Sequence, residues 1–255
     1  MIFPISDDNS DRTITPYVNY ILLTINILVF VFLQGLGSND KFTYAYATVP
    51  VEIMSGEDID RPVIVQDPIS GDPVGRINLE PTPFSVYLTL LTSMFMHGGL
   101  AHLFGNMLYL WIFGDNLEDR LGHFRYLAFY LVCGILASLA HVLTNTGSLI
   151  PSLGASGAIS GVLAGYLVLH PKRRVNAIVL RGIFTTVPAW VAIGVWFLFQ
   201  LISGLGMLGN SSQAGGVAYA AHIGGFIAGL ILIKIFAIGR GAAGTSGGNP
   251  SMMGG

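Results

Sequence analysis

Six apolar stretches run through this chain of 255 residues, and about 20 apolar residues are what a helix needs to cross the hydrocarbon of a bilayer. They are read as Val18 to Leu36, Gly98 to Phe113, Leu121 to Leu143, Gly154 to His170, Ile183 to Ser203 and Gly216 to Ile238. Backbone polar groups cannot be left bare in lipid, so each stretch is expected to be a helix. Weak alternation and heavy Gly and Leu content argue against a barrel. Composition agrees, with 52% hydrophobic and only 10% charged residues, against roughly 25% charged in an ordinary soluble domain. The expected fold is therefore all-α, a polytopic bundle of six transmembrane helices. A formal net charge of −2 gives no support to a nucleic-acid partner. The single cysteine, Cys133, cannot form an internal disulfide.

Three regions follow from this spacing. Residues 1–17 read as an N-terminal tail; with three aspartates and one arginine it lacks the basic start of a secretory signal and is expected to be retained. Residues 18–238 hold the six spans and a long first loop, 37–87, with eight acidic residues, three basic residues and six prolines, too polar to cross a bilayer. Loops of that length tend to be functional or mobile, and a short extended piece near Val63 to Gln66 is conceivable. Residues 239–255 form a glycine-rich tail expected to be disordered. Loops rich in Lys and Arg stay in the cytoplasm. With six spans, one side holds Arg12, Arg120, Arg125, Lys172, Arg173, Arg174, Arg181, Lys234 and Arg240, and the other only Lys41, Arg61 and Arg76. Both termini are thus expected in the cytoplasm of a cell-membrane protein, with the long loop outside.

Polar residues inside such spans are rare and costly, so several at one depth make a functional-site hypothesis. Ser156 lies two residues into the fourth span from outside. His222 lies six residues into the sixth, roughly 9 Å along the helix. His102 and Asn106 share one face in the outer half of the second. Each has a plainer reading. Ser156 suits a helix cap or a packing position, His222 a satisfied core histidine, and Asn106 an interhelical hydrogen bond. The stripes Gly157, Gly161, Gly165 and Ala221, Gly225, Gly229 let two helices approach closely, which is also what would bring Ser156 to His222. A neutral imidazole can take the serine proton during attack on a carbonyl and return it to the leaving amine. No Asp or Glu follows Asp119, so a serine and histidine dyad without a carboxylate is expected. The oxyanion would fall to neutral donors, Asn106, His102 and the free N–H groups where the fourth helix starts.

With "HGGLAHLFGNMLYLWIFG" from His97, "GASG" from Gly154 and "AHIGGFIAGL" from Ala221, the chain resembles the rhomboid intramembrane serine proteases of bacterial type. The resemblance covers the six spans. It implies that Ser156 is the nucleophile, His222 the base, and His102 with Asn106 the oxyanion-stabilising pair. His97 and Gly154 would support them. Glu118 and Arg120 match an ExR pattern expected to tie down the end of the second span. The implied substrate is a transmembrane segment of another protein, cut near its outer end, with a small residue favoured before the scissile bond. No metal or cofactor is implied. Two departures stand out: the first loop lacks the Trp-Arg pair of some members, and Ser160 replaces an aromatic that could stack on His222. Two other readings are a non-catalytic rhomboid-like protein that binds client helices, and a metal site on His97, His102 and His222. The metal reading lacks the carboxylate that metal-dependent membrane proteases pair with histidines.

Overall fold

A computed structural model describes residues 2–66, 70–179, 182–209 and 218–239. Arg181, Arg240, the glycine-rich tail from residue 240 and the expected start of the sixth segment at Gly216 lie outside these. In chain order the elements are β1 (Phe3–Asp7), α1 (Tyr17–Leu28, continued by a π turn at Val29–Leu33), α2 (Asp40–Tyr46), α3 (Pro50–Ser55), β2 (Pro62–Gln66), β3 (Pro73–Asn78) and the short α4 (Thr89–Thr92). Then come α5 (Leu100–Leu121), α6 (His123–Thr144), α7 (Ser156–Leu169), β4 (Arg174–Val179), β5 (Ile183–Pro188), α8 (Ala189–Gly209) and α9 (Tyr219–Phe236).

The chain is mostly helical, with α7 at the centre: every residue from Gly157 to Tyr166 is buried between α5, α6 and α9. Among the described residues, α6 and α9 are long and apolar enough to cross a membrane by length and composition. Tyr17–Leu33 and Ser156–Leu169 are shorter, α8 counts as an apolar helix over Ala189–Gly204, and α5 carries charges in its last two turns. Outward faces keep large apolar side chains exposed, among them Ile21, Phe32, Trp190, Leu198, Ile202 and Ile231. Faces of that kind suit lipid rather than water.

The small-residue stripes set the closest approach. A Cβ on Gly225 would lie 2.1 Å from the Gly157 carbonyl oxygen, and one on Gly229 would lie 2.4 Å from that of Gly161. These are contacts with backbone, which cannot step aside, so α7 and α9 touch main chain to main chain.

Three expectations change. The fifth apolar segment does not begin as helix: Ile183–Pro188 pairs antiparallel with Arg174–Val179, and the helix starts only at Ala189. "IFTTVP" is rich in β-branched and aromatic residues, and Pro188 disfavours helix at the residue before it. The all-α expectation is qualified in the N-terminal tail as well, because Phe3–Asp7 adds a third strand in the order β1-β4-β5. The second helix continues eight residues past Phe113 to Leu121. Its extension is anchored at Glu118, a fully buried carboxylate that accepts from the backbone N–H groups of Val18 and Asn19 at 3.0 and 2.7 Å. This bond fastens the end of α5 to the start of α1.

The first loop is more ordered than its composition suggests. It contains α2, α3 and the β2-β3 hairpin, the strand falling on Val63 to Gln66. Between α2 and α3, Thr48 exchanges both backbone hydrogen bonds with Ser152 at 3.0 and 2.8 Å, four residues before Ser156. The Thr48 hydroxyl donates to the Thr89 carbonyl oxygen at 2.8 Å and, its one proton used, accepts from Ser93 Oγ at 2.9 Å, and the Gly154 N–H donates to the Ser93 carbonyl oxygen at 2.9 Å. The loop thereby fixes the extended segment that delivers α7.

Candidate active site

Ser156 is the first residue of α7, where the N–H groups of the opening turn have no intrahelical acceptor. The close approach of α9 places His222 beside it, with Ser156 Oγ 2.7 Å from His222 Nε2, within hydrogen-bonding distance. The other ring nitrogen, Nδ1, lies 2.8 Å from Gln200 Oε1 on α8. Ser160, four residues on, donates its hydroxyl to the Ser156 carbonyl oxygen at 2.6 Å. That is a helix-internal bond. The aromatic neighbours of His222 come from elsewhere: Trp196 of α8 at 6.1 Å and Tyr219 at 6.4 Å between ring centroids.

His102 enters from the first turn of α5. Its Nδ1 accepts from the Gly98 N–H at 3.3 Å, so in the neutral ring the proton sits on Nε2. Nε2 lies where a Cβ on Gly154 would come within 3.0 Å of it, and the same Cβ would be 3.6 Å from Ser156 Oγ. Gly154 also holds φ +132, a conformation other residues rarely adopt. Glycine is required there twice over, for its backbone angle and for the imidazole beside it.

Asn106, one turn further along the same face, is buried, and its Nδ2 has no hydrogen-bond partner among the described residues. His97 packs edge-on against His102 at 5.2 Å. Its backbone is held by Gln34, which accepts from the His97 N–H at 2.8 Å and donates to the His97 carbonyl oxygen at 3.0 Å. Cys133 is buried against Gly161, a packing position. Among the described residues no three His, Cys, Asp or Glu side chains gather as a metal-binding group.

Beside Ser156 opens a small cleft lined by Met94, Ala137, Ser138, Gly154, Gly157 and Ala221 among others, mostly small side chains. The arrangement offers a hydroxyl within hydrogen-bonding distance of an imidazole, a neighbouring Nε2–H donor, and a helix N-terminus that favours negative charge. These are the parts an acyl-transfer site needs.

Sequence reasoning missed Gln200 and Thr48. Gln200 was detectable as the one amide in the apolar run "AIGVWFLFQLISG"; Thr48 gave no signal, since its partners are set by the fold.

Residues 85–238 match the family model described as Rhomboid domain, more than half of the chain, and the protein belongs to the rhomboid family. Family members are membrane proteins. Similar curated proteins include Rhomboid protein 1, mitochondrial, of Saccharomyces cerevisiae, 34% identical over 148 residues, 56% of this chain and 40% of that protein. Rhomboid protease GluP of Bacillus subtilis is 37% identical over 139 residues, 54% of this chain and 25% of that one. Presenilin-associated rhomboid-like protein A, mitochondrial, of Danio rerio is 30% identical over 142 residues, 54% of this chain and 37% of that one. The chain thus spans less than half the length of these relatives. Because bacterial and mitochondrial proteins match at comparable identity, the similarity does not single out a bacterial type.

Proposed function

We propose that this protein is an intramembrane serine endopeptidase that cuts transmembrane segments of other membrane proteins with Ser156 as nucleophile and His222 as base. The observation that carries this reading is the 2.7 Å bond from Ser156 Oγ to His222 Nε2, with His102 beside it. In the proposed reaction His222 removes the hydroxyl proton as Ser156 Oγ bonds to the scissile carbonyl carbon. The oxyanion is met by His102 Nε2–H, Asn106 Nδ2–H and the Ser156 N–H. Collapse breaks the C–N bond as His222 returns the proton to the leaving amine, and water then hydrolyses the acyl-enzyme by the same steps.

The proposed setting is a cell-membrane bundle of six spans formed by α1 and α5 to α9, with both termini in the cytoplasm and the site opening to the outside. Helix α7 has 14 residues and rises about 21 Å, short of the roughly 30 Å hydrocarbon thickness. Its N-terminus therefore sits below the outer surface, reached by the extended segment that Thr48 holds. The small residues lining the cleft support a preference for small substrate side chains. Helix α7 and its stripes are assigned packing roles, and Glu118 and Arg120 a structural one.

The test is cleavage of a model transmembrane substrate in liposomes. Wild-type protein is expected to cut it, and Ser156→Ala and His222→Ala are expected to lose activity by at least about 10³-fold. Binding without cleavage by the wild type would favour the non-catalytic, client-binding reading, and equal cleavage by Ser156→Ala would refute the assignment.

A further inference from the structure

We propose that Gln200 is the positioning residue of the catalytic group, a neutral acceptor that holds the His222 Nδ1–H and so leaves the Nε2 lone pair facing Ser156. This rests on the protease reading above. A neutral imidazole has one N–H and one lone pair. A base for Ser156 needs the lone pair on Nε2, and the proton must then be on Nδ1 and needs an acceptor. Gln200 Oε1 lies 2.8 Å away, and the residue is 6% exposed, so water is a poor substitute. The reverse amide orientation, with Nε2–H of Gln200 donating to Nδ1, would put the histidine proton on Nε2 and disable the base. One side-chain orientation is thus compatible with catalysis.

The sequence offers no carboxylate for the task after Asp119. The titratable groups facing His222 are His102 from α5 and His141 from α6, with Tyr219 on its own helix, Ser156 on α7, and Gln200 with Trp196 on α8. A carboxylate at position 200 would hold the ring as well, but would favour the imidazolium and lower the fraction of free base near neutral pH. An amide orients the ring without that penalty. During attack, when the imidazolium forms, the same acceptor gains a charged donor and strengthens.

The delivery of Gln200 is built into the packing. Trp196 and Gln200 are four residues apart and share a face of α8. Phe197 stacks on Phe226 of α9 at 3.9 Å between ring centroids, seating α8 against the helix that carries His222.

The experiment compares wild type, Gln200→Leu and Gln200→Glu by steady-state cleavage, by the rate of Ser156 labelling with a fluorophosphonate, and by 15N NMR of His222. Gln200→Leu is expected to lower kcat about 10- to 100-fold, the rate equivalent of one hydrogen bond to a charged partner, with KM unchanged and labelling slowed in parallel. Gln200→Glu is expected to recover activity at high pH, with the acid limb of its kcat profile moved up by about one pH unit. A purely structural role would not move that limb. NMR should show the Nδ1–H tautomer in wild type and a mixture in Gln200→Leu. Wild-type kcat in Gln200→Leu, a change confined to KM, or an Nε2–H tautomer in wild type would each overturn the proposal. If wild type neither cleaves nor labels, the protease reading fails, while the tautomer measurement still decides whether Gln200 orients the ring.

Discussion

A methyl group at position 154 would have to share space with the imidazole of His102, 2.9 Å from Cε1 and 3.0 Å from Nε2, on a backbone at φ +132. Gly154→Ala is therefore expected to push His102 away from Ser156, and a displacement of about 1 Å at a reacting centre costs on the order of 10²-fold in rate. The measurement is kcat for substrate cleavage, with a melting curve alongside; wild-type kcat would remove His102 from the oxyanion assignment. At this scale much of the site was legible. Ser156, His222, His102 and Asn106 are polar groups where an apolar helix makes them costly, and such outliers are visible without coordinates. Gln200 is visible in the same way, but its pairing with His222 is not, because the two have no fixed spacing in the chain. Gln200 reaches Nδ1 only through the seating of α8 on α9. The tautomer of His102 was equally hidden, because it depends on the Gly98 N–H, a backbone group with no sequence signature.

The two glycine stripes act as one element, a seam in which α9 rests on the carbonyl oxygens of α7. Gly225 lies three residues after His222 and would bring a Cβ to 2.1 Å from the Gly157 carbonyl oxygen. Gly225→Ala must therefore separate the helices and carry His222 away from Ser156. The expected result is a destabilisation of about 1–3 kcal/mol with a loss of labelling and cleavage on the order of 10²-fold. Gly194→Ala is the control, since a Cβ there meets nothing within 4 Å; it should be neutral or stabilise by up to about 1 kcal/mol. Equal behaviour of the two variants would deny the seam its role in holding the base. The stripes were readable from their four-residue spacing. The start of α8 was not, because an apolar, β-branched run such as Ile183–Pro188 suits a strand or a buried helix equally until a pairing partner is known. That partner, β4, is itself short and lies between charged residues.

Across the whole molecule, the N-terminal tail closes the end opposite the site, through contacts of a kind no local pattern encodes. Arg12 pairs with Asp115 at 2.7 Å, Arg173 with Asp11 at 2.6 Å, and Asp119 accepts from the N–H groups of Thr13 and Ile14, each at 2.8 Å. Arg173 holds the Asp11 carboxyl below the ordinary range by hydrogen bonding. At the centre, Asp7 on β1 receives Asn116 Nδ2–H at 2.7 Å and the Tyr166 hydroxyl from α7, both on one oxygen. Burial pushes the Asp7 carboxyl up to about 7, against the opposing effect of the Tyr166 bond and with Asp115 nearby adding to the rise. An acid with a higher pKa folded than unfolded holds its proton more tightly in the folded state. Its docking is then strongest below the ordinary carboxylate range, weakens as pH rises from about 4 to about 7, and levels off above. Burial also raises Glu52 to about 7, in the same sense but in the first loop, so a global melting curve would mix the two. The local measurement is amide exchange at Phe3–Asp7, with protection corrected for intrinsic rate. Between pH 5 and 8, above the range where Asp11 titrates, protection in the wild type should fall with pH. Asp7→Asn keeps a carbonyl oxygen for both donors and has no proton to lose, so its protection should fall clearly less across that window, any remaining slope belonging to Asp115, whose carboxyl burial also raises. A wild-type profile that is flat, or a variant profile that falls as steeply as wild type, would mean that Asp7 does not govern how tightly the tail is held to α5 and α7.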